Sequence, residues 1–409
     1  MSTFKVNLNE TIFYLSDSLN LVGGDNVDHG KRVAFMAIEC AKLLDWDDKQ
    51  KDDLFLASIF HDCGVSKTAT YERLVNFEGI NAGNHCSRGA KLLDGSPPLA
   101  FLSDCILHHH VDWSELKGID LPDQVKLFAN CINMLDTVDF LSINLQQEAS
   151  NILSNKDKIR KKIFSGMDKE FNAQLVDVFL EISQPDAFWL TLDKGLCSGY
   201  AEFWVEHKKK KNISFNDLKS VMLIYSRIVD AKSFYTRLHS EGVANLSRCL
   251  GELFGFDKHT CDKLEIAGLL HDLGKLRVPE TILDKAGELT EEEFLIVKRH
   301  SYDTYDVLNA IQGFEDISCW ASQHHERIDG SGYPFQYSHQ QLSLGARILA
   351  VADVFQSYSQ DRPHREKLSA ADIMIILKQE VREGTLDKDC ILMIENNLEK
   401  CWNAANSIN

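Results

Sequence analysis

The chain has no run of apolar residues approaching the ~18–20 that cross a bilayer as a helix. Its opening stretch, MSTFKVNLNE, lacks a basic segment leading into an apolar core, so a signal peptide is not expected. The eleven cysteines are scattered, odd in number and never spaced C-x-x-C. That argues against a disulfide scaffold or a structural zinc site and predicts reduced thiols in a cytoplasm. Positive charge is in deficit: 44 Lys and Arg face 61 Asp and Glu, a net charge of −17. Binding to a nucleic-acid backbone rests on cations that neutralise phosphates, so a polymeric nucleic acid is not an expected partner, and neither is a membrane. A small anionic ligand remains open, provided metals or a few placed Lys and Arg supply the positive charge locally.

Proline is scarce, at seven residues in 409, and no segment alternates apolar and polar residues as a sustained strand would. What is present is helical spacing almost throughout. RVAFMAIECAKLL (32–44), VKLFANCINMLDTVDFL (125–141), LVDVFLEI (175–182) and VMLIYSRIV (221–229) all read as helices, and the expected fold class is all-α. The KKKK run at 208–211 reads as a solvated linker.

Ten of the fifteen histidines fall on a ladder that occurs twice. The first copy reads His29, His61-Asp62, His85, His108-His109 and Asp136; the second reads His239, His271-Asp272, His300, His324-His325 and Asp353. The first step spans 32 positions in both copies. The next steps span 24 against 29, 23 against 24, and 27 against 28. Four intervals that nearly agree, in the same order, point to a duplicated domain. The expected layout is two tandem helical bundles: residues 1–200, a linker at 201–216, and residues 217–409.

Imidazoles and carboxylates without thiolates suit Fe, Mn, Ni or Zn in catalytic sites, whereas Mg and Ca prefer oxygen alone. Seven such ligands are too many for one ion with an open position, and suit two ions with one carboxylate, Asp272, between them. Adjacent helical residues point about 100° apart, so His324 and His325 are expected to address different ions or different sides of one cluster. His271 and Lys275, four apart, are expected on one helix face, with Lys275 above the metals and ready to hold a phosphate oxygen or assist a departing one. Two metals generate a hydroxide near neutral pH and clamp both oxygens of an in-line phosphoryl displacement. The residues alone therefore describe a dinuclear phosphohydrolase, with Asp272 and Lys275 at its catalytic centre.

HDLGK (271–275), His300, HHERIDGSGYP (324–334) and ARILAVADVF (346–355) closely resemble the HD-GYP family of bacterial phosphodiesterases. VDAKSFYTRLHSEGVA (229–244) and DRPHR (361–365) fit the same family. The resemblance implies a helical bundle around a non-haem centre of two divalent ions, usually iron, otherwise manganese. It implies hydrolysis of a 3′,3′-cyclic dinucleotide, cyclic di-GMP or cyclic GMP-AMP, to the linear dinucleotide. It implies metal ligation by His239, His271, Asp272, His300, His324, His325 and Asp353, and contact of Lys275 with the scissile phosphate. Arg347, Arg362 and Arg365 become candidates for substrate phosphates or purines, with ordinary ion pairs as the alternative. Tyr333 would sit in a loop at the mouth, a lid or a contact for a protein partner. Some members place a Glu at the position of Tyr235 to hold a third metal, so its absence here favours two. Gln356 stands where some carry a second acid, and RPHR replaces the usual RPYR.

The first copy resembles a diverged domain of the same kind. Val65 takes the lysine position, VDWSELKGID follows HHH with no Gly-Tyr-Pro, Asn130 replaces the arginine, and no RPHR follows Asp136. Such a domain keeps a metal clamp without a phosphate clamp, which suggests a regulatory or scaffolding role; a second phosphoesterase site and pure packing are the alternatives. Asp25 reads as a solvated loop residue. A degenerate copy followed by an intact one looks like bacterial enzymes acting on 3′,3′-cyclic GMP-AMP. Two other readings of the whole chain stand beside this one: a non-catalytic sensor of metal or cyclic dinucleotide, and a broader HD-type nucleotide phosphohydrolase.

Overall fold

The computed structural model describes residues 3–22, 28–66, 83–148, 151–192, 196–206, 211–233, 239–361 and 366–407. These are helical, apart from a two-stranded antiparallel ribbon in which Thr3–Val6 (β1) pairs with Lys211–Ser214 (β2), Thr3 facing Ser214. The all-α expectation holds, and strands this short carry no alternation that a sequence window detects.

The described residues divide into two compact units. One contains 28–65 and 83–206; the other contains 3–22, Ser66 and everything described from 211 onward. The N-terminal 22 residues, expected with the first copy, thus belong to the unit built from the second. The segment expected as a linker holds the end of the helix Leu196–Glu206, β2 and the start of the helix Phe215–Asp230.

The second unit forms its core where Phe215–Asp230, His239–Leu253, Lys258–Leu270, Glu315–Ser322 and Leu344–Tyr358 meet. Their apolar stripes are buried: Leu218, Met222, Leu246, Leu250, Leu264, Ile266, Ile317, Ile348 and Phe355. Phe4 of β1 lies against the rings of Phe215 and His259, and Ile12, Phe13 and Leu15 of the helix Leu8–Leu19 are buried. That helix packs on Glu291–Asn309 and on the 3-10 turn Leu273–Arg277, both of which carry site residues.

The duplication is visible in local detail. Asp47 caps Asp48–Phe60 through the Gln50 amide, and Asp257 caps Lys258–Leu270 through the Thr260 amide. Each helix ends at its His-Asp pair, with His61 and His271 as C-caps in near-identical conformation (φ −54°, ψ −35°; φ −56°, ψ −32°). The glycine two residues after each Asp is fixed by sterics. A Cβ on Gly64 would lie 1.9 Å from the His85 carbonyl oxygen, and one on Gly274 would lie 2.1 Å from that of His300. Only glycine lets the turn after the His-Asp pair press onto the helix that brings the next histidine.

Candidate metal centre and phosphate site

In the second unit, the seven ladder residues converge. His239 begins one helix, His271 and Asp272 follow the end of another, and His300 lies within Glu291–Asn309. His324 and His325 follow the helix Glu315–Ser322, and Asp353 comes from Leu344–Tyr358. The donor atoms of His239, His271 and Asp353 lie within 4.8 Å of one another, as do those of His271, Asp272 and His324, and those of His300, His324 and His325. Asp272 stands between two groups. Its Oδ2 is 3.3 Å from His271 Nε2 and 3.9 Å from His239 Nε2; its Oδ1 is 3.5 Å from His300 Nε2 and 3.6 Å from His324 Nε2.

Hydrogen bonds behind the cluster set the tautomers. His271 Nδ1 donates to the Gly268 carbonyl (2.8 Å), His300 Nδ1 to Val297 (2.5 Å) and His324 Nδ1 to Ala321 (2.6 Å). His239 Nδ1 donates to Gln356 Oε1, which orients the ring from behind. With each Nδ1 occupied, each Nε2 presents a lone pair to the centre. Two such lone pairs, on His300 and His324, face each other at 3.3 Å. His271 Nε2 and Asp272 Oδ1 are buried without a hydrogen-bond partner. Facing lone pairs and unpartnered buried acceptors are costly unless a cation lies among them, so the donor set fits metal ions.

The electrostatics agree. Burial, with Lys275 beside it, pushes His300 down to about 4, and burial with neighbouring imidazoles holds His324 and His325 well below the ordinary histidine range. Those rings stay neutral and able to ligate. Burial opposes ionisation of Asp272 and Asp353. His271 and Lys275 nevertheless hold Asp272 well below the usual carboxylate range, and His239, with Nε2 3.1 Å from Asp353 Oδ1, does the same for Asp353.

Lys275 does not share a helix face with His271. The α-helix stops at Leu270, and Lys275 sits on the following 3-10 turn with Nζ 2.6 Å from Asp272 Oδ2, one-fifth exposed at the rim. His324 and His325 also lie beyond their helix, with ring centroids 4.0 Å apart; both join His300, and His324 alone of the two also joins His271 and Asp272. Tyr333 lies against His325 with the rings tilted by 38° and their centroids 4.8 Å apart, and Lys298 Nζ is 5.1 Å above the Tyr333 ring. Arg347 is engaged by Asp387 at 2.5 Å and by His339 at 3.0 Å, the geometry of the ordinary ion pair. Arg362 and Arg365 lie outside the described residues, as do Asp25, Tyr235 and His364.

The Gly-Tyr-Pro loop is pinned by a residue that the motif alone did not single out. Buried Glu326 accepts from the amides of Phe335 (2.6 Å), Gln336 (3.2 Å) and Tyr337 (3.0 Å). A Cβ on Gly332 would meet Glu326 Cα at 2.4 Å, so the loop lies directly on this strut. Replacing Glu326 with alanine orphans three amides. It is expected to destabilise the loop by about 1–3 kcal/mol, read as faster hydrogen exchange at 333–337 with the global melting temperature little changed. Unaltered exchange there would refute the strut.

In the first unit the ladder is also assembled, with one register change. His108 turns away, its Nδ1 donating to the Asp104 carbonyl. The pair that matches His324-His325 is His109-His110, with centroids 4.2 Å apart. His109 Nδ1 donates to the Ile106 carbonyl as His324 does to Ala321. His29 Nε2 is 3.0 Å from His61 Nε2 and 3.4 Å from Asp136 Oδ1, and His85 Nε2 is 3.4 Å from Asp62 Oδ1. His29 Nδ1 is held by Asp139, which Arg32 grips with two hydrogen bonds, where the second unit has Gln356 and Gly242. Asn130 bonds the Glu170 carbonyl and the Asn172 amide, a structural post in place of an arginine.

Helical bundle, His-Asp cradle and adjoining lysine together define a metal-dependent phosphohydrolase of the HD type, and residues 223–390 match the HD domain family. The chain is 34% identical over 403 residues to 3′3′-cGAMP-specific phosphodiesterase 1 of Vibrio cholerae, covering 98% of this chain and 94% of that one. It is 40% identical over 139 residues, 34% of this chain and 34% of the relative, to cyclic di-GMP phosphodiesterase PA4108 of Pseudomonas aeruginosa. The crystal structure of the V. cholerae cyclic GMP-AMP phosphodiesterase V-cGAP3 shares the fold, with a TM-score of 0.64 at 21% identity over 97% of this chain and 98% of that one. The chain belongs to the HD-GYP family of cyclic dinucleotide phosphodiesterases. No helix among the described residues is long and apolar enough to cross a membrane.

Proposed function

We propose that the second unit hydrolyses a 3′,3′-cyclic dinucleotide to its linear form, with 3′,3′-cyclic GMP-AMP the preferred substrate and cyclic di-GMP the competitor. The observation that carries the reading is Asp272, whose two oxygens face separate histidine groups while Lys275 rests on one of them. Similarity over both halves to a relative named for cyclic GMP-AMP supports the substrate; the cyclic di-GMP relative matches a third of the chain.

His239, His271 and Asp353 would hold one ion and His300, His324 and His325 the other, with Asp272 shared; the nitrogen and oxygen donors suit iron, and manganese next. Bound there, the ions would supply a hydroxide near neutral pH and offset charge on the phosphoryl oxygens. Lys275 binds a non-bridging oxygen of the scissile phosphate and orients it for attack in line with the departing 3′-oxygen. Tyr333 keeps His325 in place by packing against its ring, and the loop shields that side from water. Arg347 supports the fold through Asp387. A protein partner at the Gly-Tyr-Pro loop belongs to the same reading, supported by exposed Phe294 with its ring 6.1 Å from Tyr333. The buried free cysteines support a cytoplasmic location.

The test is product analysis by chromatography. Full-length protein reconstituted anaerobically with Fe(II) or Mn(II) is offered both cyclic dinucleotides side by side. Linear product is expected from both, faster from cyclic GMP-AMP. Asp272→Ala is expected to lower bound metal and abolish turnover together. No turnover of either substrate with metal demonstrably bound would sink the enzyme reading and favour the sensor.

A further inference from the structure

His85, Cys86, His109 and His110 of the first unit place four donor atoms within 4.8 Å of one another. His85, Cys86 and His109 are buried, and His110 is partly exposed. The second unit answers this group with His300, Ser301, His324 and His325. There, Ser301 Oγ lies 3.3 Å from His300 Nε2; here, Cys86 Sγ lies 3.5 Å from His85 Nε2. The rings superpose in kind: His85–His110 centroids are 5.1 Å apart, as are those of His300 and His325, and His85–His109 and His300–His324 are 5.4 and 5.3 Å. One side-chain atom separates the two groups, a sulfur in place of an oxygen.

That atom changes the chemistry. A serine hydroxyl is a poor ligand and leaves three imidazoles with positions open for water or substrate. A thiolate is a strong, soft ligand and completes a four-donor shell of three imidazoles and one sulfur. Such a closed set suits zinc and leaves no position for a reacting oxygen. A second observation points to an ion: His109 is fully buried, its Nδ1 is occupied by the Ile106 carbonyl, and its Nε2 faces the cluster without a partner. We propose that the first unit binds a zinc-type divalent ion through His85, Cys86, His109 and His110, as a closed, non-catalytic centre. On binding, the Cys86 thiol gives its proton to solvent and the sulfur lone pair forms the bond to the ion, with no redox step. The site stands apart from the catalytic reading of the second unit and does not depend on it.

The probe is cobalt(II), which reports a thiolate ligand by a sulfur-to-metal charge-transfer absorption in the near ultraviolet. Full-length protein loaded with cobalt is expected to show the band, and zinc is expected to bleach it. Asp272→Ala, expected to lower the metal held by the second unit, is expected to keep it. Cys86→Ser, checked for folding by circular dichroism, is expected to lose it while retaining cobalt elsewhere. Absence of the band in the cobalt-loaded natural chain overturns the proposal whether or not the variant folds. So does a band undiminished in Cys86→Ser, or one lost in Asp272→Ala.

Discussion

Turnover by the Lys275→Ala variant is expected to fall by about 10²–10³-fold, the usual cost of losing one preorganised donor at a developing oxyanion. Metal content is expected to stay the same or rise. Lys275 Nζ lies 2.6 Å from Asp272 Oδ2, so the ammonium competes with metal cations for the same carboxylate. Removing it lowers the positive charge at the cradle and leaves all seven ladder ligands in place. The pairing of lost kcat with retained metal separates a phosphate-binding lysine from a structural one. Metal analysis and initial rates on the same preparation decide it. A variant that keeps full activity would remove Lys275 from the mechanism; one that loses metal would make it part of the cradle.

A chain beginning at Gly23 is expected to lose the cooperative melting of the second unit. The removed segment carries Phe4, Val6, Ile12, Phe13, Leu15 and Val22, all buried. At about 1.5–3 kcal/mol for each large apolar side chain, the loss matches or exceeds the ~5–15 kcal/mol that stabilises a typical domain. β2 would also lose its strand partner, and the turn bearing Lys275 would lose one of the helices packed on it. Calorimetry of the truncated and full chains measures this directly. A truncated chain that melts at the same temperature would show that residues 1–22 are not part of this core.

The His-Asp ladder was legible because ligands on helices recur at spacings that folding hardly disturbs. His239, His271, Asp272, His300, His324, His325 and Asp353 could be grouped by interval alone, and the structure brings them together. Interval counting failed at His108-His109-His110. A run of three identical residues leaves the register open, and only the turn after the helix Ser103–His108 decides which two point inward. The helix-face argument for Lys275 failed for a related reason. The change from α to 3-10 geometry after His271 depends on the close approach at Gly274, a tertiary contact. Cys86 could have been noticed as a thiol beside a ladder histidine, but its meaning needed the comparison with Ser301. The assignment of residues 3–22 to the second unit was invisible, because four-residue strands carry no periodic signal.

The pairing of β1 with β2 also sets an order of events during synthesis. β1 leaves the ribosome before the first unit, and its partner follows only after the whole first unit has been made, on the order of 10–40 s later at about 5–20 residues per second. For that interval Phe4, Ile12, Phe13 and Leu15 have no core to enter. The first unit, whose described residues run from 28 to 65 and from 83 to 206, can fold meanwhile. The second cannot close until its own helices emerge and the waiting segment docks. The nascent segment thus exposes apolar side chains that a holding chaperone would recognise, and the second unit becomes native after the first.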